Sequence, residues 1–160
     1  MFDMTLLTVG KLKEKFYLDA AREYEKRLGG YVRFTLTELP EQRLSENPSP
    51  AEIENALEKE AQEIEKRIPR GAWFCVLTPE GTELSSPALA EKLAAVKSGG
   101  KSAACFLIGS SFGMAERLKR QADFRLSMGK MTFPHHLARV MVLEQVYRAF
   151  TINEGSKYHK

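Results

Sequence analysis

The chain has 160 residues and a formal net charge of +3, with 43% hydrophobic and 28% charged residues. At roughly 100–200 residues per domain, this is one globular domain with room for a real core. Fifteen aromatic residues (nine Phe, five Tyr, one Trp) exclude intrinsic disorder. The only two cysteines, Cys75 and Cys105, sit in apolar runs, which excludes a disulfide scaffold. No apolar run approaches the roughly 18 residues of a membrane helix. The opening MFDMTLLTVG lacks the basic start of a secretory signal. The expectation is a soluble cytoplasmic protein.

In chain order, β-type apolar runs fall at Thr5–Val9, Val32–Leu39, Trp73–Thr78, Ala103–Ile108 and Asp123–Met128. Helical patterns fall between them at Glu14–Leu28, Pro50–Ile68, Pro87–Ser98 and Met114–Gln121, with a last helix over His135–Phe150. This alternation predicts α/β architecture, a mostly parallel sheet with helices on both faces. Residues 73–77 and 103–108 are apolar at nearly every position, as befits strands covered on both sides. Ser49-Pro50-Ala51-Glu52 and Ser86-Pro87 are helix starts. The 50–68 helix is rich in glutamate, and Ile53, Leu57, Ile64 and Ile68 form its thin apolar stripe, which predicts an outer helix. Residues 40–50 read as a surface loop. The last helix carries Leu137, Val140, Met141, Val142, Leu143, Val146, Tyr147 and Phe150 on more than one face. Such a helix is buried on most sides, as a central core helix or at a subunit interface; the interface is the expectation, because the other helices already cover the sheet.

Charge is unevenly spread. Residues 41–70 hold eight acids and five bases, whereas residues 116–160 hold four acids, nine bases and all three histidines. A basic end on a near-neutral chain suits a polyanion or phosphate partner, although charge alone favours a solvated face. A second basic cluster, Lys11, Lys13 and Lys15, follows the first apolar run.

Four segments are candidates for chemistry. Leu107-Ile-Gly-Ser-Ser-Phe-Gly113 leaves a buried strand and enters a helix, where open α/β sheets bind ligands. Gly109 there allows close approach to the backbone, and Ser110 and Ser111 are placed to cap the next helix. The full G-x-G-x-x-G pattern is not met. Ser98-Gly-Gly-Lys-Ser102 precedes its strand, so it reads as a helix C-cap and not as a phosphate loop. Leu126–His136 joins a strand to a helix, and its apolar Met131 and Phe133 suit the walls of a small-molecule site. His135 and His136, with no cysteine or carboxylate at ligand spacing, make zinc improbable; His135 is assigned a structural role. The closing Tyr158-His159 places a proton-transfer group in a tail that is ordinarily frayed.

Together, Leu107–Gly113, Lys130–His135, Arg139-Val140, Glu144–Phe150 and Tyr158-His159, with Val9–Lys13 and Glu23–Leu28, resemble one family over the whole chain. It is the RlmH family of large-subunit rRNA pseudouridine N3-methyltransferases, within the SPOUT superfamily. The resemblance implies a single domain over residues 1–160, with a C-terminal trefoil knot, a homodimer, and S-adenosylmethionine held in the knot. By similarity the cofactor-binding residues are Leu77, Gly109, Ser127, Met128, Gly129, Lys130, Met131, Thr132 and Phe133. Ser110 stands where the family pattern has Gly. The reaction then needs groups that orient the target base, take its N3 proton or stabilise the charge left on the ring. His159 is the candidate proton acceptor and Tyr158 the positioning residue, with Arg139 and Arg148 for carbonyl oxygens or phosphate. Lys11, Lys13, Lys15 and Arg22 are candidate contacts to 23S rRNA in the assembled ribosome. No metal and no membrane is implied. The alternative is a non-catalytic ribosome- or RNA-binding factor of the same fold; a phosphate-ester hydrolase lacks both nucleophile and metal cluster.

Overall fold

The structure, a computed structural model, describes all 160 residues. Five strands, β1 (Asp3–Val9), β2 (Arg33–Leu39), β3 (Trp73–Glu83), β4 (Ala103–Ile108) and β5 (Phe124–Ser127), alternate with helices α1 (Lys15–Leu28), α2 (Pro50–Arg67), α3 (Ser86–Ser98) and α4 (Glu116–Gln121). Helix α5 (His135–Asn153) ends the chain's regular structure. The strands form one sheet in the order β2-β1-β4-β3-β5, and every pairing is parallel.

Alternation along the strands divides the core. Met4, Leu6, Cys75, Ala104 and Phe106 face α1, α3 and α5. Leu7, Val9, Phe74, Val76, Cys105 and Leu107 face α2 and α4. The central strands β1, β3 and β4 therefore supply apolar residues to both faces, which is why their runs lack a polar alternation.

Local chemistry sets the helix ends. Ser49 and Glu52 form a reciprocal capping box on α2, and Ser85 accepts from Ala88 N–H at the start of α3. At the end of α3, Gly99 N–H donates to the Ala95 carbonyl, Lys101 N–H donates to the Val96 carbonyl, and Gly100 takes φ +96°. The Ser98–Ser102 segment is thus the expected C-cap.

Three expectations are revised. The third strand does not stop at Pro79 but continues to Glu83, with a break in register between Leu77 and Thr82. Gly81 permits this, because a Cβ there would lie 2.7 Å from the Arg125 carbonyl oxygen on β5. Helix α4 begins only at Glu116, with Ala115 before it and no side-chain cap. Ser110 and Ser111 therefore do not cap it; the Ser110 hydroxyl instead accepts from Phe112 N–H within its own turn. On α2 the buried line is Ala56, Glu60, Ala61 and Ile64, with Ile53 and Leu57 only half-buried. Two of these four are small alanines, which a search for large apolar residues passes over.

Candidate cofactor cleft and tail cluster

The carboxyl ends of β3, β4 and β5 converge on a cleft of about 820 Å³. β3 contributes Leu77–Glu80, the turn after β4 contributes Ile108–Met114, and the loop into α5 contributes Met128, Gly129 and Met131–His135. Of the residues expected to hold the cofactor, Leu77, Gly109, Met128, Gly129, Met131, Thr132 and Phe133 line this cleft. Ser127 is buried beside it. Its hydroxyl accepts from Gly129 N–H and donates to the Gly129 carbonyl, fixing a turn in which Gly129 takes φ +124°. Lys130 is exposed and lines no wall of the cleft.

The turn after β4 is tighter than its sequence suggests. Ser110 and Gly113 exchange backbone hydrogen bonds, and a Cβ on Gly109 would come within 2.3 Å of the Gly113 carbonyl oxygen. Gly109 is thus required first by the turn itself. Ser110 fits where a second Gly was expected, because no non-glycine residue in the chain has positive φ. Beneath the turn, the buried Glu60 carboxylate accepts from Gln42 N–H, and burial raises its pKa. At the mouth, Lys119 pairs with Glu80 at 2.5 Å and holds that carboxyl down at about 2.

The cleft suits a small-molecule ligand with apolar parts. The Thr78 hydroxyl on its wall is buried beside Glu80 and, with Lys119, helps to hold that carboxyl low. Apolar Leu77, Met131 and Phe133 supply the remaining surface, and Met131 and Phe112 are among the few large apolar side chains left exposed.

A second hollow, an apolar groove of about 530 Å³, lies between the start of α3, the end of β5 and one side of α5. Val140, Met141, Gln145 and Glu144 form its α5 wall. It shares Met128 and Gly129 with the cleft, so one short loop separates the two.

The tail residues gather on α5. Glu144 is the hub. It takes Arg148 at 2.5 and 2.9 Å, the Tyr158 hydroxyl at 3.1 Å and the Gln145 amide at 2.8 Å. Arg148 also lies over the Tyr158 ring, 4.7 Å from its centre. Burial, and the hydrogen bond to Glu144, push the Tyr158 hydroxyl up to about 12, so it stays protonated and donates. Arg148 donates to His159 Nδ1 at 3.1 Å. An arginine has no acceptor, so Nδ1 must accept and the ring proton sits on Nε2. Sequence reading missed Glu144, although its i,i+4 spacing to Arg148 was the available signal.

The other candidates are scattered. Arg139 is fully buried, pairing with Glu38 at 2.6 Å and donating to the Gly10 carbonyl at 2.9 Å. It ties α5 to the ends of β1 and β2 and presents nothing to solvent. Lys11, Lys13 and Arg22 are exposed without an ion-pair partner, whereas Lys15 is bound to Asp19 at 2.6 Å. His135 lines the cleft, with its pKa lowered by burial and by His136.

A parallel sheet with helices on both faces and a cleft at its carboxyl edge is the α/β architecture in which ligands bind outside the strand ends. Comparison with known proteins makes this specific. The family described as "Predicted SPOUT methyltransferase" matches residues 2–159. A protein of Methanococcus maripaludis named "Putative ribosomal RNA large subunit methyltransferase H" is 41% identical over 158 residues, 99% of each chain. One of the same name from Methanococcus vannielii is 40% identical over the same span. A methylase-family structure from Haemophilus influenzae, 14% identical, superposes with TM-score 0.54 over 98% of this chain and 70% of its own, a likeness of fold alone. The chain belongs to the SPOUT methyltransferase family, in its ribosomal RNA large subunit methyltransferase H branch.

Proposed function

We propose that this protein is an S-adenosylmethionine-dependent methyltransferase that modifies N3 of a pseudouridine in 23S rRNA, acting as a cytoplasmic homodimer on the assembled ribosome. The observation that carries this reading is the cleft at the ends of β3, β4 and β5. Seven of the nine residues that the family resemblance assigns to the cofactor line it. The full-length relatives named as rRNA methyltransferases support the RNA substrate.

Leu77, Gly109 and the 128–133 loop would hold the cofactor, which when bound supplies an activated methyl group. The chain itself must orient the target base, exclude water and manage the N3 proton. Within one protomer the tail cluster stands away from the cleft. Arg148 lies ten residues along α5 from Ala138 at the cleft, about 15 Å of helix axis. A second copy seated in the apolar groove needs to pass only the Met128-Gly129 loop, and its Tyr158 and His159 then complete the site. The half-exposed α5 side chains Val140 and Met141 support that docking.

The tail's hydrogen bonds give its groups distinct tasks. Tyr158, held protonated against Glu144, positions and does not take a proton. Arg148 fixes His159 with Nε2–H outward, a donor suited to a ring carbonyl oxygen as negative charge builds there. The N3 proton leaves to bulk solvent at the mouth of the cleft once the methyl group is transferred. Arg139 braces α5 and touches no substrate.

The test is transfer of radiolabel from S-adenosylmethionine to ribosomes lacking this methylation. Label at one large-subunit pseudouridine is expected. Cofactor binding without label on ribosomes or free rRNA would overturn the substrate. Mixing His159→Ala protomers with Gly109→Val protomers should restore activity that neither has alone, if the tail acts across the dimer.

A further inference from the structure

Only four large apolar side chains are strongly exposed, and Phe16, at 65%, is the one that neither lines the cleft nor begins the chain. It stands in the first turn of α1, immediately after Lys11, Lys13 and Lys15. Lys11 and Lys13 have no ion-pair partner. Glu14 is the N-cap of that turn and gives it no side-chain cap; the Tyr17 and Leu18 N–H groups donate to the Glu14 carbonyl, which leaves those of Lys15 and Phe16 to face a phosphate. Phe16 is also the outer end of a row of rings. It lies 4.4 Å from Tyr17; Tyr17 meets His136 at 6.2 Å, edge-on; and His136 meets His135 at 4.2 Å. His135 forms the wall of the cleft. The row thus runs from the lysine cluster to the place where methyl transfer is proposed.

We propose that Phe16 is a stacking platform for an unpaired nucleobase of the RNA substrate, next to the base that enters the cleft. This rests on the RNA-methyltransferase reading above. An exposed aromatic ring among unpaired cations is the recurring device for holding single-stranded nucleic acid. The charges track the backbone, and the ring accepts any base face. A loop of rRNA with splayed bases offers that partner, whereas a duplex, with its bases stacked inside, does not. With its backbone near Lys11, Lys13 and the start of α1 and one base on Phe16, the strand is registered so that its neighbour meets the cleft.

The test compares Phe16→Ala and Phe16→Trp with the wild type in two assays. In methyl transfer to unmethylated ribosomes, Phe16→Ala should raise KM about tenfold, as expected for one lost stack. Its kcat, S-adenosylmethionine affinity and dimer mass should stay unchanged, and Phe16→Trp should restore KM. In direct titration with a single-stranded RNA oligonucleotide, the Phe16→Trp fluorescence should be quenched, and a duplex of the same sequence should quench it less. Methyl transfer with an unchanged KM for Phe16→Ala and no quenching overturns the platform and leaves the enzyme reading intact. Quenching without methyl transfer on any ribosomal substrate overturns the enzyme reading and keeps the platform. Loss of the dimer or of cofactor affinity in Phe16→Ala overturns the platform in favour of a structural contact.

Discussion

The two faces of the sheet are built from the same strands yet finished differently. Over one face, α2 and α4 are stitched together at their outer surface. Arg117 bridges Glu58 and Glu65, Gln121 reaches Glu65, and Lys119 joins Glu80 and Glu116. Over the other face, α5 leaves Val140 and Met141 beside an open apolar groove, and its polar side carries Glu144, Arg148 and the returning tail. The α2–α4 face is closed over with charge pairs, apart from a hollow of about 830 Å³ between the start of α2 and α4. The α5 face leaves apolar surface and an ordered cluster of polar groups, and the elements proposed for dimerisation and chemistry lie there.

The comparison breaks most severely at Arg139, the buried strut of the open face. Arg139→Ala leaves Glu38 half-buried without its partner and frees the Gly10 carbonyl. Removing one member of a buried pair costs about 3–5 kcal/mol, so urea unfolding should show a loss of that order. Arg139→Met with Glu38→Gln should recover much of it. If Arg139 instead contacts substrate, Arg139→Ala will lose activity with little loss of stability.

Next comes Gly109→Ala. The new methyl group meets a backbone carbonyl and not a yielding side chain, so the Gly109–Gly113 turn must open. Overpacking of this kind costs about 1–3 kcal/mol. The turn is a wall of the cleft, so S-adenosylmethionine affinity by calorimetry should fall by at least about tenfold. Unchanged affinity would remove this turn from the cofactor site.

Most of this frame was legible in the sequence, and the exceptions share a cause. The five strands and five helices could be read because apolar period and caps are local signals. β3 was cut short at Pro79, because its continuation depends on Gly81 admitting β5, a contact between residues more than forty positions apart. The cleft-lining residues were found from motif resemblance. The meaning of Arg139 was not, because burial and its partner Glu38 arise only when α5 crosses the ends of β1 and β2. Tyr158 and His159 stood out as unusual residues, whereas Glu144, which organises them, looked like any helical glutamate.

A smaller effect separates the faces by pH. His135, on the wall of the cleft, has a folded pKa lowered by burial and by His136, so the fold disfavours its protonation. The unfolded chain therefore binds more protons just below the ordinary histidine value of about 6.5, and stability falls as pH drops through that window. The penalty is absent above it. His135→Asn should flatten this part of the pH–stability curve; a curve unchanged by the substitution would mean that the ring is solvated in the folded protein.

The smallest effect is expected on the closed face. Arg117 carries two carboxylates, Glu58 and Glu65, yet all three side chains keep a quarter or more of their surface in water. Exposed pairs gain little, because solvent screens the attraction and ordering long side chains costs entropy. Arg117→Met should therefore shift Tm by no more than about 2 °C, and less at high salt. It should leave dimer mass and ribosome methylation untouched, because the α2–α4 surface is assigned no partner. The outcome that would matter most is the opposite one. A ribosome KM that rises in Arg117→Met, at unchanged Tm, would mean that the charges on this face are an RNA contact, and the division between a closed face and a working face would have to be redrawn.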